Sequence, residues 1–242
     1  MAFFRSALVV LLVVLTSGCL SNEKLGEKDR ARSFSGPQTD KYFNFIEHST
    51  FPSAGSVYNK EGTFVGSCVL VSGHIALTAA HCIVSGNLKY ARFGDEEILI
   101  EEQFIHKNFA LGDDIGLLLL SEPSKHTPMS MISDVDSIPD MTPLHTISHG
   151  SGEKKISRDN TFHYFGILEK RPNSIIFLPL KASVWFGDSG GALCVIGCDG
   201  NPYLLGIITH FSVIDGEIYE CGARRTDNFN LYDDVWDHWN DK

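Results

Sequence analysis

Short apolar runs recur along most of the chain, and their length and spacing predict β-strands. Turn residues such as Gly, Pro, Asn and Asp separate many of these runs, and no internal repeat is visible. Many short strands at this spacing indicate a β-sandwich or β-barrels rather than an α/β sheet. The predicted strands cover residues 63–71, 74–79, 88–93, 97–105 and 115–121, and then 144–148, 162–168, 174–180, 192–197 and 203–211.

A proline-rich segment divides the predicted strands into two sets. Residues 122–143 contain four prolines and little apolar periodicity, which is typical of a linker. Near the C-terminus, Val235, Trp236 and Trp239 have helical spacing and predict a short amphipathic helix. The predicted organisation is a first β unit over about 42–122, a linker over about 123–143, a second β unit over about 144–230 and a helix over about 232–241.

The N-terminus has the layout of a secretory signal. One positive charge at Arg5 precedes nine apolar residues at 7–15, and small or polar residues follow. We therefore expect residues 1–18 to be a signal peptide and the protein to be secreted or held in the cell envelope. Residues 19–41 are rich in Ser, Gly and charged residues without apolar periodicity, which predicts a disordered tether or pro-segment.

The stretch that ends at Cys19 also resembles a bacterial lipoprotein signal. Such signals end with a leucine, two small residues and a cysteine that becomes acylated, and this chain has Leu15-Thr16-Ser17-Gly18-Cys19. It departs from the pattern because Thr16 occupies the usual leucine position, with Leu15 one place early. Two alternatives stay open: a lipidated Cys19 that anchors the protein in a membrane, or plain cleavage and a soluble product.

Charge and cysteine content narrow the function classes. The chain has 30 acidic and 20 basic residues, for a formal net charge of −10, and so acidic a surface argues against nucleic acid as a partner. Six cysteines fit an oxidising compartment. We expect neither a metal nor a cofactor: His145 and His149 lie four apart in a pattern that is not helical, and both are expected to face solvent.

Three local sequences carry the groups of a nucleophilic catalytic site. A serine hydroxyl needs an imidazole to take its proton and a carboxylate to hold that imidazole in the right tautomer. The chain supplies His81, Asp114 and Ser189 in this order, and the neighbouring Asp113 is expected to be a solvated turn residue. Small residues before His81 leave room for a serine, an apolar strand after Asp114 can desolvate the carboxylate, and glycines around Ser189 allow a tight turn. The local sequences are Thr78-Ala79-Ala80-His81-Cys82, Asp114-Ile115-Gly116-Leu117-Leu118 and Phe186-Gly187-Asp188-Ser189-Gly190-Gly191.

These motifs resemble those of the trypsin/chymotrypsin-like serine proteases, in the family order, from about residue 62 to the C-terminus. The resemblance implies an all-β fold of two six-stranded antiparallel β-barrels with the active site in the cleft between them. It implies that His81 is the general base, that Asp114 orients it and that Ser189 is the nucleophile. The amides of Gly187 and Ser189 would form the oxyanion hole. The partners would be protein or peptide substrates, and we expect a monomer.

The resemblance also implies a disulfide between Cys68 and Cys82, which bracket the strand that leads to the catalytic histidine. For Cys221 three alternatives stay open: a disulfide with Cys194, a disulfide with Cys198 and a free thiol. They stay open because a tryptophan occupies the family's usual partner position before the nucleophile.

Activation of the enzyme is a further question that the resemblance raises. In the family, the aspartate before the nucleophile, here Asp188, pairs with the N-terminal ammonium that zymogen cleavage releases. The usual Ile-Val-Gly-Gly start is absent, and Ile46, at about the expected place, has no basic residue directly before it. Either an unusual cleavage generates Ile46 as the N-terminus, or another cation satisfies Asp188.

The specificity pocket follows from the same resemblance. In the family, the residue six before the nucleophile lies at the base of the pocket, where an aspartate selects Arg or Lys, and here it is the neutral Ser183. The far wall would be Thr209, His210 and Phe211, with the bulky Phe211 where a glycine usually admits the substrate side chain. We expect cleavage after small or medium uncharged residues. Recognition of an acidic side chain by His210 is the rival hypothesis.

The sequence as a whole predicts an exported serine endopeptidase. A catalytically silent relative that acts as a binding module is the alternative from another class, although such relatives usually lose a triad residue and this chain keeps all three. An esterase or lipase would place Gly-x-Ser-x-Gly between a strand and a helix, whereas the segments that flank Ser189 have strand patterns.

Overall fold

The structure, a computed structural model, describes residues 43–139, 142–157, 162–167, 173–179, 184–214 and 217–229. Within these residues the chain is built of short β-strands, which confirms the predicted fold class, and no helix there is long and apolar enough to cross a membrane. The predicted signal peptide, tether and C-terminal helix lie outside the described residues. The elements are β1 (Phe43–Phe45), β2 (Ala54–Asn59), β3 (Phe64–Ser72), β4 (Ile75–Thr78), α1 (Ala80–Gly86), β5 (Leu88–Phe93), β6 (Glu96–Ile105), β7 (Gly116–Leu120), β8 (Ser130–Met131), β9 (Pro143–Ser148), β10 (Lys155–Ser157), β11 (Phe162–Ile167), β12 (Ser174–Pro179), β13 (Ala192–Ile196), β14 (Pro202–Ile214) and β15 (Glu217–Arg225), with 3-10 turns at Phe109–Leu111, Val135–Ser137 and Gly150–Gly152.

The first β unit is a closed six-stranded barrel with the strand order β2-β3-β4-β7-β6-β5. Its strands form because successive side chains point alternately into the barrel and out of it, and apolar side chains occupy the inward positions. In β6, Ile98 and Ile100 are buried in the barrel, whereas Leu99 between them is 53% exposed. The inward side chains, which include Leu70 and Phe93, form one apolar core.

The second β unit is an antiparallel sheet that closes on itself. Strand β9 pairs with β11 on one side and with β13 on the other, so that β9-β11-β12-β15-β14-β13 form a ring of six strands. Strands β10 and β1 extend the sheet beyond β9, and β8 adds in parallel to β14. The sequence placed residues from 42 onwards in the first unit. Strand β1 instead belongs to the second, because Phe43 is buried in the core of that unit.

The two β units meet where the candidate residues lie. His81 is in the first turn of α1, directly after β4, and Asp114 lies shortly before β7. Ser189 lies in the turn before β13, and its carbonyl oxygen accepts the backbone N–H of Ser67 in β3 at 2.8 Å. Connections from both units therefore carry the candidate residues to one junction.

Candidate active site

His81 and Asp114 are joined by two hydrogen bonds. The backbone N–H of His81 donates to Oδ1 of Asp114 at 2.9 Å, and Nδ1 of the His81 ring is 2.7 Å from Oδ2. Because a carboxylate only accepts hydrogen bonds, Nδ1 carries the proton, and Nε2 is left to face a second partner. The His81 side chain is 39% exposed, so a ligand can reach the ring from the cleft.

The carboxylate of Asp114 changes the proton affinity of this imidazole. It raises the pKa of His81 from 6.5 to about 10, with a smaller contribution from Cys82 in the same direction, while burial acts against both. The pairing therefore stabilises the folded state fully below pH 6.5 and loses that contribution as the pH rises through about 10. The neutral imidazole that can accept a proton is populated at more alkaline pH than in a free histidine.

Backbone hydrogen bonds fix the turn that carries Ser189. By contrast, within the described part of the chain the amides of Phe186, Gly187 and Ser189 donate to no protein acceptor, and Gly187 has a φ of 92°. The two amides expected to bind an oxyanion are thus among those that the fold leaves unused. The bonds that the turn makes are Asp188 N–H to Trp185 O (3.0 Å), Gly190 N–H to Ile208 O (2.8 Å) and Gly191 N–H to Asp188 O (2.9 Å).

Ser67, which the sequence did not single out, ties this turn to the first barrel. Its amide donates to the carbonyl of Ser189 at 2.8 Å, and its hydroxyl donates to the carbonyl of Gly187 at 2.9 Å. The same hydroxyl accepts the amide of His149 at 2.9 Å, and Ser67 is completely buried. A serine in a strand pattern gives no signal of such a role, because its partners are far away in the sequence.

Ser189 and His81 lie close together in the structure, because Cys82, the residue after His81, contacts Ser189. The thiol of Cys82 lies 3.9 Å from the carbonyl oxygen of Ser189. Among the described contacts, no hydrogen bond joins the Ser189 hydroxyl to the His81 ring, and in unliganded sites such bonds are often long and tighten when substrate binds. The structure thus brings all three expected residues to one junction, with the His81–Asp114 link already formed.

The disulfide expected between Cys68 and Cys82 is absent, and both residues are free, buried thiols. Cys68 belongs to the apolar core of the first barrel. The position on β3 that faces Cys82 is Gly66, since a Cβ built there would lie 3.0 Å from the sulfur of Cys82. The expected partner of Cys82, Cys68, therefore lies two residues beyond the position that faces Cys82. Cys194 and Cys221 are also free, buried thiols.

Asp188 pairs with a lysine of the second β unit. Nζ of Lys155 in β10 lies 3.0 Å from Oδ1 and 3.1 Å from Oδ2 of Asp188. The structure thus agrees with the second alternative for Asp188, in which a cation other than a new N-terminus pairs with its carboxylate. Lys155 was not predicted from the sequence, although the absence of the family's usual N-terminal motif indicated that Asp188 needs another cation.

Aromatic rings meet at the expected specificity pocket. The ring of Phe211 stacks on Trp185 with centroids 5.4 Å apart, and it makes a T-shaped contact with Phe186 with centroids 5.5 Å apart. Trp185 and Phe186 precede the turn that carries Ser189, so this segment contacts Phe211, one of the expected wall residues. Ser183, expected at the pocket base, lies outside the described residues.

A cavity of about 560 Å³ lies between the two β units beside Asp114. Residues 108 and 111–114 of the first unit line one side, and residues of β12, β14 and β15 line the other, including Thr209 and His210. The ring of His210 packs over Gly222, where a Cβ would lie 2.2 Å from a ring carbon, and its Nδ1 is 2.8 Å from Oγ1 of Thr209. Two of the three expected wall residues, Thr209 and His210, thus line the cleft between the units, where ligand sites are common.

Asp113 is not the solvated turn residue that the sequence suggested. It is buried, and its Oδ1 accepts from Nε of Arg224 at 2.8 Å and from Nδ2 of Asn173 at 2.9 Å. The two adjacent aspartates therefore have different partners. Asp114 binds His81, whereas Asp113 ties the first unit to the second.

His145 and His149 are buried, contrary to the expectation that both face solvent. They lie on and next to β9, which has paired strands on both sides. Nδ1 of His145 is 3.1 Å from the carbonyl oxygen of Ser157, and the ring of His149 stacks on His48 with centroids 5.4 Å apart. Burial lowers the pKa of His149 to about 3, so this ring is neutral at ordinary pH.

Comparisons with known proteins agree with this geometry. The family model described as Trypsin matches residues 44–229. Among solved structures, the Vibrio cholerae VesB protease is similar, with a TM-score of 0.63 and 17% sequence identity over 78% of this chain. This chain spans 65% of the solved VesB chain, and at that identity the likeness shows the fold. No curated protein matches the sequence.

Proposed function

Because the chain belongs to the trypsin family of proteases, we propose that it is an exported serine endopeptidase that works through an acyl-enzyme on Ser189. The observation that carries the proposal is the doubly hydrogen-bonded His81–Asp114 pair at the junction that also holds the Ser189 turn. The unused amides of Gly187 and Ser189 support it further, because they are the donors that an oxyanion requires.

The proposed chemistry assigns one task to each group. Nε2 of His81 takes the proton of the Ser189 hydroxyl as its oxygen bonds to the substrate carbonyl carbon, and the carbonyl oxygen becomes an oxyanion near the two amides. The imidazolium then gives its proton to the leaving amine as the peptide bond breaks. Water, deprotonated by His81, hydrolyses the acyl-enzyme. Asp114 keeps the imidazole oriented and stabilises its charged form in both steps.

The specificity that we propose is for small or medium uncharged residues before the scissile bond. The contact between Phe211 and Trp185 supports it, because two stacked rings leave little space between the pocket walls for a long side chain. An acidic side chain would have to reach His210, whose Nδ1 is already close to the Thr209 hydroxyl. We therefore rank acidic specificity second.

The location and partners that we propose follow from the N-terminal sequence and the family. An apolar run at 7–15 after Arg5 supports export, and Cys19 supports anchoring in a membrane as the alternative to release. The partners would be protein or peptide substrates.

A hydrolysis assay with matched variants tests the proposal. We expect the wild-type chain to cleave a protein substrate, and Ser189→Ala and His81→Ala to lower kcat by about 10⁶-fold, since the two groups act as one unit. Ser121→Ala, at an exposed serine, is the control that should keep full activity. Folded but inactive wild-type protein would favour the binding-module alternative, and cleavage of esters alone would favour an esterase.

A further inference from the structure

The pair of Lys155 and Asp188 is enclosed by protein beside the candidate nucleophile. Lys155 has 0% and Asp188 1% of its surface exposed. Gly150 packs tightly against both, since a Cβ there would lie 2.5 Å from Oδ1 of Asp188 and 2.6 Å from Nζ of Lys155. A buried carboxylate requires a cation and hydrogen bonds, and here the folded chain supplies both.

The carboxylate of Asp188 has its acceptor positions filled. Besides the two contacts with Lys155, Oδ1 accepts the hydroxyl of Ser148 at 2.7 Å and Oδ2 accepts the amide of Trp185 at 2.7 Å. A carboxylate offers about four acceptor positions. A second ammonium group would therefore find its charge neutralised and its binding positions taken.

The segment before Ile46 is part of this arrangement. Strand β1 pairs with β10, with Phe45 opposite Lys155, and the ring of Phe43 covers Nζ of Lys155 at 4.6 Å from its centroid. The amide of Ile46 donates to the carbonyl of Lys154 at 3.0 Å. Cleavage before Ile46 would separate the strand that covers the lysine from the rest of the chain and would turn the Ile46 amide into an ammonium group.

We propose that Lys155 is a built-in positioning residue that holds the turn of Gly187 and Ser189 in its oxyanion-binding conformation, so that the uncleaved chain is competent without a new N-terminus. This inference rests on the proposed function. Asp188 lies between Gly187 and Ser189, whose amides are both unused, and its side chain links that turn to Ser148 and Lys155 in the second β unit.

Lys154 provides a matched control for Lys155. It is the neighbouring lysine and is also buried, but its Nζ donates to the carbonyls of His48 and Phe51 at 3.1 Å and 2.8 Å. We expect Lys155→Met to lower kcat by about 100-fold or more with KM changed less than about threefold, because an oxyanion hole acts in the transition state. Lys154→Met should keep kcat, and Lys155→Arg should recover part of the loss. Equal kcat values for Lys155→Met and Lys154→Met would overturn the inference.

The N-terminus of the active wild-type enzyme gives a second test that does not depend on how the variants fold. N-terminal sequencing of enzyme whose activity has been titrated should find Phe43 and Ile46 still joined in one chain. Wild-type protein that is inactive until trimmed to a new N-terminus, and active afterwards, would overturn the role of Lys155 while leaving the proposed function standing. Wild-type protein that is inactive in both forms would overturn both.

Discussion

Replacing Gly66 with cysteine should create a disulfide with Cys82. A Cβ built on Gly66 lies 3.0 Å from the sulfur of Cys82, and an S–S bond of about 2.04 Å places each Cβ about 3.0 Å from the partner sulfur. Gly66 has no positive φ, so its backbone accepts an L side chain. The same Cβ lies 3.0 Å from the carbonyl oxygen of Ser189, which must move by a few tenths of an ångström.

The disulfide should stabilise the oxidised variant relative to its own reduced form. It closes a loop of about 16 residues, which corresponds to about 3 kcal/mol of unfolding free energy. For a domain of this size that is about 6–12 °C in Tm. Comparing the two redox forms of one variant cancels the cost of the crowding at Ser189.

The assay is thermal or urea unfolding of Gly66→Cys with and without reductant, combined with peptide mapping under non-reducing conditions. Gly66→Ser, which adds a side chain of similar size that cannot form the bond, should show no effect of reductant. A variant in which the introduced cysteine stays unlinked, or whose stability does not depend on reductant, would refute the reasoning. In that case Gly66 on β3 would not face Cys82 on α1.

Three further predictions concern pH, specificity and stability. The kcat/KM of the enzyme should rise with pH through an inflection above pH 6.5, because Asp114 raises the pKa of His81 to about 10. Asp114→Asn should move this inflection to lower pH. A pH–rate profile with the same inflection in both proteins would contradict the prediction. Phe211→Gly should raise kcat/KM by about 10-fold or more for substrates with a large apolar residue before the scissile bond, as measured with a peptide library. An unchanged kcat/KM for these substrates would show that Phe211 does not line the specificity pocket. Arg224→Met should lower the free energy of unfolding by about 3–5 kcal/mol in urea, because it removes the guanidinium group that neutralises the buried Asp113 carboxylate. A loss below about 1 kcal/mol would show that the pair is solvated.

The sequence predicted ten of the strands, mostly those with clear apolar runs between turn residues. Strands β1 and β10 were missed because they have only three residues each. Strand β2 of the first barrel was missed because its sequence, Ala-Gly-Ser-Val-Tyr-Asn, has little apolar alternation. Strand β15 was also missed, because it carries the buried Arg224 and Arg225, which pair with the distant Asp113 and Asp136. A strand that depends on distant partners gives no periodic signal of its own.

The site was predictable where its chemistry is local and not where it depends on tertiary contacts. The motif around Ser189 and the residues beside His81 point to their roles from the sequence alone. Lys154 and Lys155 form an adjacent basic pair that would ordinarily be solvated, and only the fold brings Asp188, 33 residues away, to one of them. Similarly, Cys68 and Gly66 share one face of β3, so the sequence pattern could not distinguish which of them faces Cys82.

Covalent labelling with a fluorophosphonate measures whether His81 and Asp114 activate Ser189 as a nucleophile. Wild-type protein should gain one adduct, and peptide mass spectrometry should place that adduct on Ser189. His81→Ala should label far more slowly, and Ser189→Ala should not label, while both remain folded by circular dichroism. A folded wild-type protein that gains no adduct, or an adduct on a residue other than Ser189, would show that Ser189 is not the activated nucleophile.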